Sequence, residues 1–250
     1  QDPLFSQYYS NAIDLNPAFA GSAGCSRATA SYRDQWTNLG SPYKTFHVSY
    51  DQYINPLKGG MAINFKFDDS GRGTIQNTSV DGIYAYHLKI TNNMVLQPAL
   101  EFSFVNRNID FSKLTFGDMI DKRYGFIYSS SEKINSSVNF FDISFGSLFY
   151  SNKLFCGFAV HHITEPNESL FANGNSHLSR KYTLHGGFIF RKYDSANNEI
   201  SFTPEILYMR QGVSALAVIG STFKYHQFIL GLRLRRVPRS IFFSNTTIIG

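Results

Sequence analysis

The sequence predicts an all-β fold, a transmembrane antiparallel β-barrel, and three observations predict it. Apolar residues recur with a period of two, the alternating segments are long, and the connectors between them differ systematically in length. A period of two is the strand signature, because successive side chains point to opposite faces. Helical spacing of 3.6 appears nowhere at useful length.

The composition fits. The chain has 250 residues, 43% hydrophobic, 16% charged and 16% aromatic, with 24 Phe and 15 Tyr. That balance excludes a disordered segment, which carries charge and lacks aromatics. The longest apolar run, Leu154 to Val160, is far short of the roughly 20 residues of a membrane-spanning helix. The net charge is +5, but Lys and Arg are scattered, so no basic stripe for nucleic acid is present. Cys25 and Cys156 form no framework and no metal-site spacing; one long-range disulfide or two separate thiols both remain open.

Residues 1–24 do not alternate and carry Pro3 and Pro17, so they read as an irregular arm or lumen plug, and residues 25–250 as the barrel. About twelve strands follow: 26–36, 43–52, 60–68, 79–91, 94–106, 137–150, 153–163, 180–192, 198–210, 213–224, 226–236 and 239–250. In the third, Met61, Ile63, Phe65 and Phe67 alternate with Ala62, Asn64, Lys66 and Asp68. In the fifth, Leu96, Leu100, Phe102 and Phe104 oppose Gln97, Ala99, Glu101 and Ser103. In the ninth, Ile200, Phe202, Ile206 and Tyr208 alternate with Glu199, Ser201, Thr203 and Glu205. In the eleventh, Phe228, Leu230, Leu232 and Leu234 alternate with Gln227, Gly231, Arg233 and Arg235. Most segments run about 9 to 14 residues, against about 5–6 in soluble proteins and 9–11 for a tilted bilayer crossing.

The connectors Thr91–Asn93 and Ser151–Lys153 are tiny, whereas 107–136 and 164–179 are long. Short periplasmic turns and long extracellular loops are the pattern of outer-membrane barrels. Gln211-Gly212 fits less well, being short on the long-loop side. A soluble barrel with an apolar core gives the same period; strand length, loop asymmetry and the polar face decide for lipid. That face mixes small residues with His87, Lys89, Glu101, Asp142, His185, Arg191, Arg233 and Arg235, which suits a filled or narrow lumen where charges pair.

Gln1-Asp2-Pro3, Phe5-Ser6-Gln7-Tyr8-Tyr9 and Leu15-Asn16-Pro17-Ala18-Phe19-Ala20-Gly21 closely resemble the mature start of the PorP/SprF family, part of the type IX secretion and gliding-motility system of Bacteroidetes. The resemblance continues through Tyr32–Trp36, Ser49–Gln52, Gly59-Gly60, Gly157–Asn167 and Pro204–Tyr208. It implies an outer-membrane location with the signal peptide removed. It also implies a barrel with further C-terminal strands, fourteen in the full protein. Such proteins support export or surface anchoring of secreted adhesin-type cargo. The implied partners are that cargo or its C-terminal domain, other type IX secretion and gliding proteins, and the lipid bilayer; no cofactor is implied.

Each patch also has a local reading. Asn16-Pro17 starts a turn, Gly21 permits unusual backbone angles, and Tyr32 with Trp36 suits an interfacial aromatic belt. As partner-binding residues of the arm we single out Phe5, Tyr8, Tyr9, Asn16, Pro17 and Phe19. In the long loop we single out Phe111, Phe116, Tyr124, Phe126 and Tyr128, since so many apolar groups must fold over the mouth or meet a protein.

Catalytic motifs are lacking: no HExxH, no GxSxG, no Gly-rich phosphate loop. Adjacent strand residues diverge, so His161 and His162 are expected on opposite faces rather than as one ligand pair. Asp68–Gly73 lacks the spacing of a calcium loop and reads as a polar turn. The expectation is therefore a non-enzymatic binding component. A passive solute pore is the alternative, against which the bulky, mixed-charge inner face argues.

Overall fold

The structure, a computed structural model, describes residues 2, 5, 8–38, 42–121, 123–128, 136–171, 174–193 and 199–236. The chain opens with a 3-10 turn (Tyr8–Asn11), one turn of helix α1 (Ala12–Leu15) and a second 3-10 turn (Pro17–Phe19). Fifteen strands follow: β1 (Arg27–Gln35), β2 (Tyr43–Ile54), β3 (Gly59–Ser70), β4 (Ile75–Tyr86), β5 (Leu88–Thr91), β6 (Met94–Ile109), β7 (Ile120–Asp121), β8 (Gly125–Phe126), β9 (Ser137–Ser151), β10 (Leu154–His161), β11 (Lys181–Phe188), β12 (Phe190–Tyr193), β13 (Glu199–Gln211), β14 (Ser214–Tyr225) and β15 (Phe228–Arg236). No described helix is long and apolar enough to cross a membrane.

Neighbours in sequence pair antiparallel in the order β1-β2-β3-β4-β6-β9-β10-β11-β13-β14-β15. β5 prolongs the β4 line beyond His87 and pairs with β6; β12 prolongs the β11 line beyond Ile189 and pairs with β13. β7 and β8 form a small hairpin of their own inside the long β6–β9 connection. The first eleven expected strands are thus all present, the fourth beginning earlier, at Ile75. The expected segment 239–250 lies outside the described residues.

The faces are inverted relative to a soluble fold. In β2, Thr45, His47, Ser49 and Asp51 are buried while Phe46, Val48 and Tyr50 are exposed. In β6, Gln97, Ala99, Glu101 and Ser103 are buried while Leu100, Phe102 and Phe104 are exposed. Leu230, Leu232 and Leu234 keep 73%, 69% and 72% of their surface open, whereas Asp51 keeps 1%. Leaving one such side chain in water instead of burying it forgoes about 1.5–3 kcal/mol. A continuous band of them is stable only against lipid, so the outward face is the bilayer face.

The described turns at one end are short: 55–58, Asn92-Asn93, Asn152-Lys153 and His226-Gln227. The other end carries 110–136 and 162–180, together with the shorter connections 36–42, 71–74 and 212–213. One of these is Gly212-Val213, where Gly212 at φ +56 lets two residues close the hairpin. The hairpin expected at Gln211-Gly212 is therefore tight, with Gln211 paired to Ser214. Cys25 and Cys156 are free and exposed.

The core is the N-terminal segment. Ile13, Ala18 and Ala20 pack on Ala62, Ile83, Ala85, Ala99 and Leu148, from β3, β4, β6 and β9. Tyr8 and Leu15 pack on Leu207, Met209, Leu216 and Val218 of β13 and β14. The same segment reaches both ends of the strand order. Ser31 of β1 donates to Asn11 Oδ1 at 2.7 Å, and the Arg233 guanidinium of β15 lies 3.9 Å from the Tyr9 ring centre. A segment this short can touch strands from β1 to β15 only if the sheet curls around it.

Candidate functional site: a filled lumen and its rims

Asn16 is the centre of the plug and is fully buried. Its Oδ1 accepts from Ala18 N at 2.9 Å, capping the 3-10 turn that Pro17 starts. Its Nδ2 lies 3.1 Å from His185 Nε2 and donates to the carbonyl oxygens of Ser147 (3.2 Å) and Phe158 (3.4 Å). One side chain thus ties the plug to β9, β10 and β11. Phe19 stacks on the His185 ring at 5.1 Å. Pro17 rests on β9 where residue 146 is glycine; a Cβ there would stand 2.2 Å from Asn16 Oδ1.

The plug leaves the lumen at the short-turn end through a charged clasp. Asp51 accepts from Gly21 N (2.8 Å), Arg27 Nε (2.8 Å) and Arg27 Nη2 (3.1 Å). Arg27 Nη2 also donates to the Phe19 carbonyl at 3.2 Å, and Gln97 Nε2 to that of Ala20 at 2.7 Å. Gly21 has φ +69 and lies directly against Gly60. Both charges of the clasp therefore hold plug backbone, which is how a buried ion pair recovers its desolvation cost.

At the long-loop end the plug meets a second charged layer. Asp2 lies 2.9 Å from both His162 Nε2 and Lys181 Nζ, and Asp14 pairs with Lys66. His162 Nδ1 lies 2.7 Å from Asp142 Oδ2, and Thr164 donates to the other Asp142 oxygen at 2.6 Å. This layer, together with Asp68, Asp81, Glu101, Arg107 and Glu168, lines a cavity of about 140 Å3. Arg107 Nη1 and Glu168 Oε2, 2.6 Å apart, tie the 162–180 loop to the wall.

The expected divergence of His161 and His162 is corrected here. His162 has φ +59, which ends β10 and breaks the alternation, so both rings turn inward with centroids 6.4 Å apart. They serve different partners: His161 Nε2 is 3.4 Å from the Leu15 carbonyl, while His162 bridges Asp2 and Asp142. Among the described residues no cluster of three His, Cys, Asp or Glu is placed to hold a metal ion. Asp68 lies within β3, where it accepts from the hydroxyl of its cross-strand partner Thr45 on β2.

Of the arm residues singled out from sequence, Phe5, Tyr8, Asn16, Pro17 and Phe19 are buried or half-buried in the lumen. Tyr9 remains 45% exposed. In the long loop, Phe111 and Phe116 are half-buried and Tyr124 and Tyr128 exposed; the Phe126 side chain lies outside the described groups. Ile120 and Ile127, which the sequence reading did not choose, are exposed beside them. Asp121 organises this tip: it accepts from the backbones of Arg123 and Tyr124 and from the Tyr128 hydroxyl, and these bonds hold its carboxyl below the usual range. Lys113 anchors the loop base by donating to the Arg72 carbonyl at 2.8 Å.

Residues scattered through the chain converge on the plug: Asp51 and Gly60 at its exit, Gly157 and His185 at Asn16, and His161 at Leu15. Across residues 1–250 the chain matches the family model described as type IX secretion system membrane protein PorP/SprF. The chain belongs to the PorP/SprF family. It is therefore a membrane component of the type IX secretion system, a family not known for enzymes. No curated protein and no solved structure matches the chain. Most of the patches that carried the sequence resemblance, among them Leu15–Gly21, Ser49–Gln52, Gly59-Gly60 and Gly157–Asn167, are plug and plug seat in this PorP/SprF chain. Sequence reasoning did not single out Gly146 or Gln97 as seat residues; a small residue and an amide on the inward face are the signals that could have found them.

Proposed function

We propose that this PorP/SprF protein is a non-catalytic, self-plugged outer-membrane barrel that binds secreted adhesin-type cargo at its long-loop rim and supports its export or surface anchoring. The observation that carries the reading is the filled lumen: the N-terminal segment packs on the wall strands from β1 to β15. An interior occupied by the chain itself leaves the rims and loops to meet partners. The same observation argues against a passive solute pore, which needs a continuous water path. In this reading the short turns face the periplasm and the long loops face outward.

The cargo surface is the 110–128 loop tip. Ile120, Tyr124, Ile127 and Tyr128 together make an exposed apolar patch braced by Asp121. Aromatic side chains of this kind dominate interface energies. The arm residues Phe5, Tyr8, Asn16, Pro17 and Phe19 act by holding the plug, and of the six singled out from sequence Tyr9 is the most open to a partner.

The triple substitution Tyr124→Ser, Ile127→Ser, Tyr128→Ser is expected to leave the barrel folded and to lower recovery of cargo C-terminal domain about tenfold or more, since hot-spot residues cost upward of about 2 kcal/mol each. Gentle detergent extraction and pull-down on the chain, with quantitation of co-purified cargo, checks this. Undiminished recovery would remove the loop from the account.

A further inference from the structure

We infer that the short-turn rim docks an extended acidic segment of a protein partner, which adds as a strand to the free edge of β5. β5 follows a break in the wall: β4 ends its pairing with β3 at Tyr86, and His87 N then donates to the Lys58 carbonyl at 2.9 Å. Beyond that point β5 pairs with β6 alone among the described residues. Its other edge carries backbone groups with no described strand beside them. All four of its residues, Leu88, Lys89, Ile90 and Thr91, are exposed, so β5 projects past the lumen rather than lining it.

The arrangement occurs twice. β11 stops at Phe188, Ile189 N donates to the Lys153 carbonyl at 2.7 Å, and β12 continues with Phe190, Arg191, Lys192 and Tyr193 all exposed, paired with β13 alone among the described residues. An exposed strand edge recruits other strands unless it is protected, and lysine is a common protector. Here lysine also selects the occupant. Lys58, Lys89, Lys153 and Lys192 lie exposed along this rim, and among the described residues none has an ion-pair partner. The described acid at this end, Asp51, is buried and committed to Arg27 and Gly21. The opposite rim mixes both signs, with Asp110, Glu165 and Glu168 paired to Lys113, Arg180 and Arg107.

A strand added to an edge gains main-chain hydrogen bonds for affinity and places alternate side chains for specificity. On β5 one face of that strand meets Leu88 and Ile90, and its carboxylates meet Lys58 and Lys89. Anionic lipid headgroups would satisfy the lysines but make no use of the strand edge. The surface is distinct from the cargo rim, so its test does not depend on cargo binding.

The full protein in nanodiscs of zwitterionic lipid is titrated with a fluorescent peptide of alternating valine and glutamate, and with its valine–lysine counterpart. The glutamate peptide is expected to bind, more weakly as salt rises, and the lysine peptide not to bind. Reversing the four lysines (Lys58→Glu, Lys89→Glu, Lys153→Glu, Lys192→Glu) is expected to weaken binding about tenfold or more. Ile90→Pro is expected to do the same; Ile90 has no register partner on β6, so the β5–β6 ladder survives the change. Binding that needs the lysines but is indifferent to Ile90→Pro would overturn strand addition. Recruitment of phosphatidylglycerol vesicles without peptide binding would replace the protein partner by a lipid surface.

Discussion

Replacing Gly60 with valine is expected to drive the N-terminal segment out of its seat. A Cβ at residue 60 would stand 2.0 Å from the Ala20 carbonyl oxygen, 2.4 Å from its carbon and 2.7 Å from Gly21 Cα. All three are backbone atoms, and Gly21 is itself held by Asp51, so no flexible side chain can yield. Overpacking of this kind costs about 3 kcal/mol, and the plug can avoid that cost by leaving. The expected result is a barrel that still inserts, with residues 1–24 newly sensitive to added protease and a lower urea midpoint. An arm that stayed protected would show that the seat tolerates a side chain the geometry forbids.

Asp51→Ala is expected to have the next largest effect. It removes the acceptor of three hydrogen bonds and leaves Arg27 facing a lumen wall without its partner. Breaking a buried pair costs about 3–5 kcal/mol. Arg27 keeps a third of its side-chain surface, so water takes up part of the charge and the lower end, about 3 kcal/mol, applies. Asp51→Asn keeps an acceptor for the Gly21 amide and should recover part of the loss. The shift of the heat-induced unfolding band on a gel measures both variants. Equal stability of wild type and Asp51→Ala would remove the clasp from the account.

The barrel was legible because its determinant is local. A strand that sees lipid on one side and a packed lumen on the other must alternate, and residues such as Phe102, Phe104, Leu230 and Leu232 carry that alternation in plain sequence order. The polar inner face likewise announced a filled or narrow lumen. What filled it was less legible. Asn16-Pro17 reads as a turn, but the partners of Asn16 are Ser147, Phe158 and His185, more than a hundred residues away. Sequence periodicity carries no record of such contacts. His162 escaped for a different reason: it has a positive φ where β10 gives way to the 162–180 loop and is held by Asp2 and Asp142, and nothing in the residue type announces it. The breaks at His87 and Ile189 were hidden because alternation runs straight through them while the neighbouring strand ends.

The central claim is that the chain closes its own lumen. Conductance of the purified full protein in a planar bilayer, compared with the Gly60→Val variant, tests it most directly. A closed baseline for the wild type and stepwise conductance for the variant are predicted. Steady conductance by the unaltered protein, equal to that of the variant, would contradict the claim and make the barrel a pore.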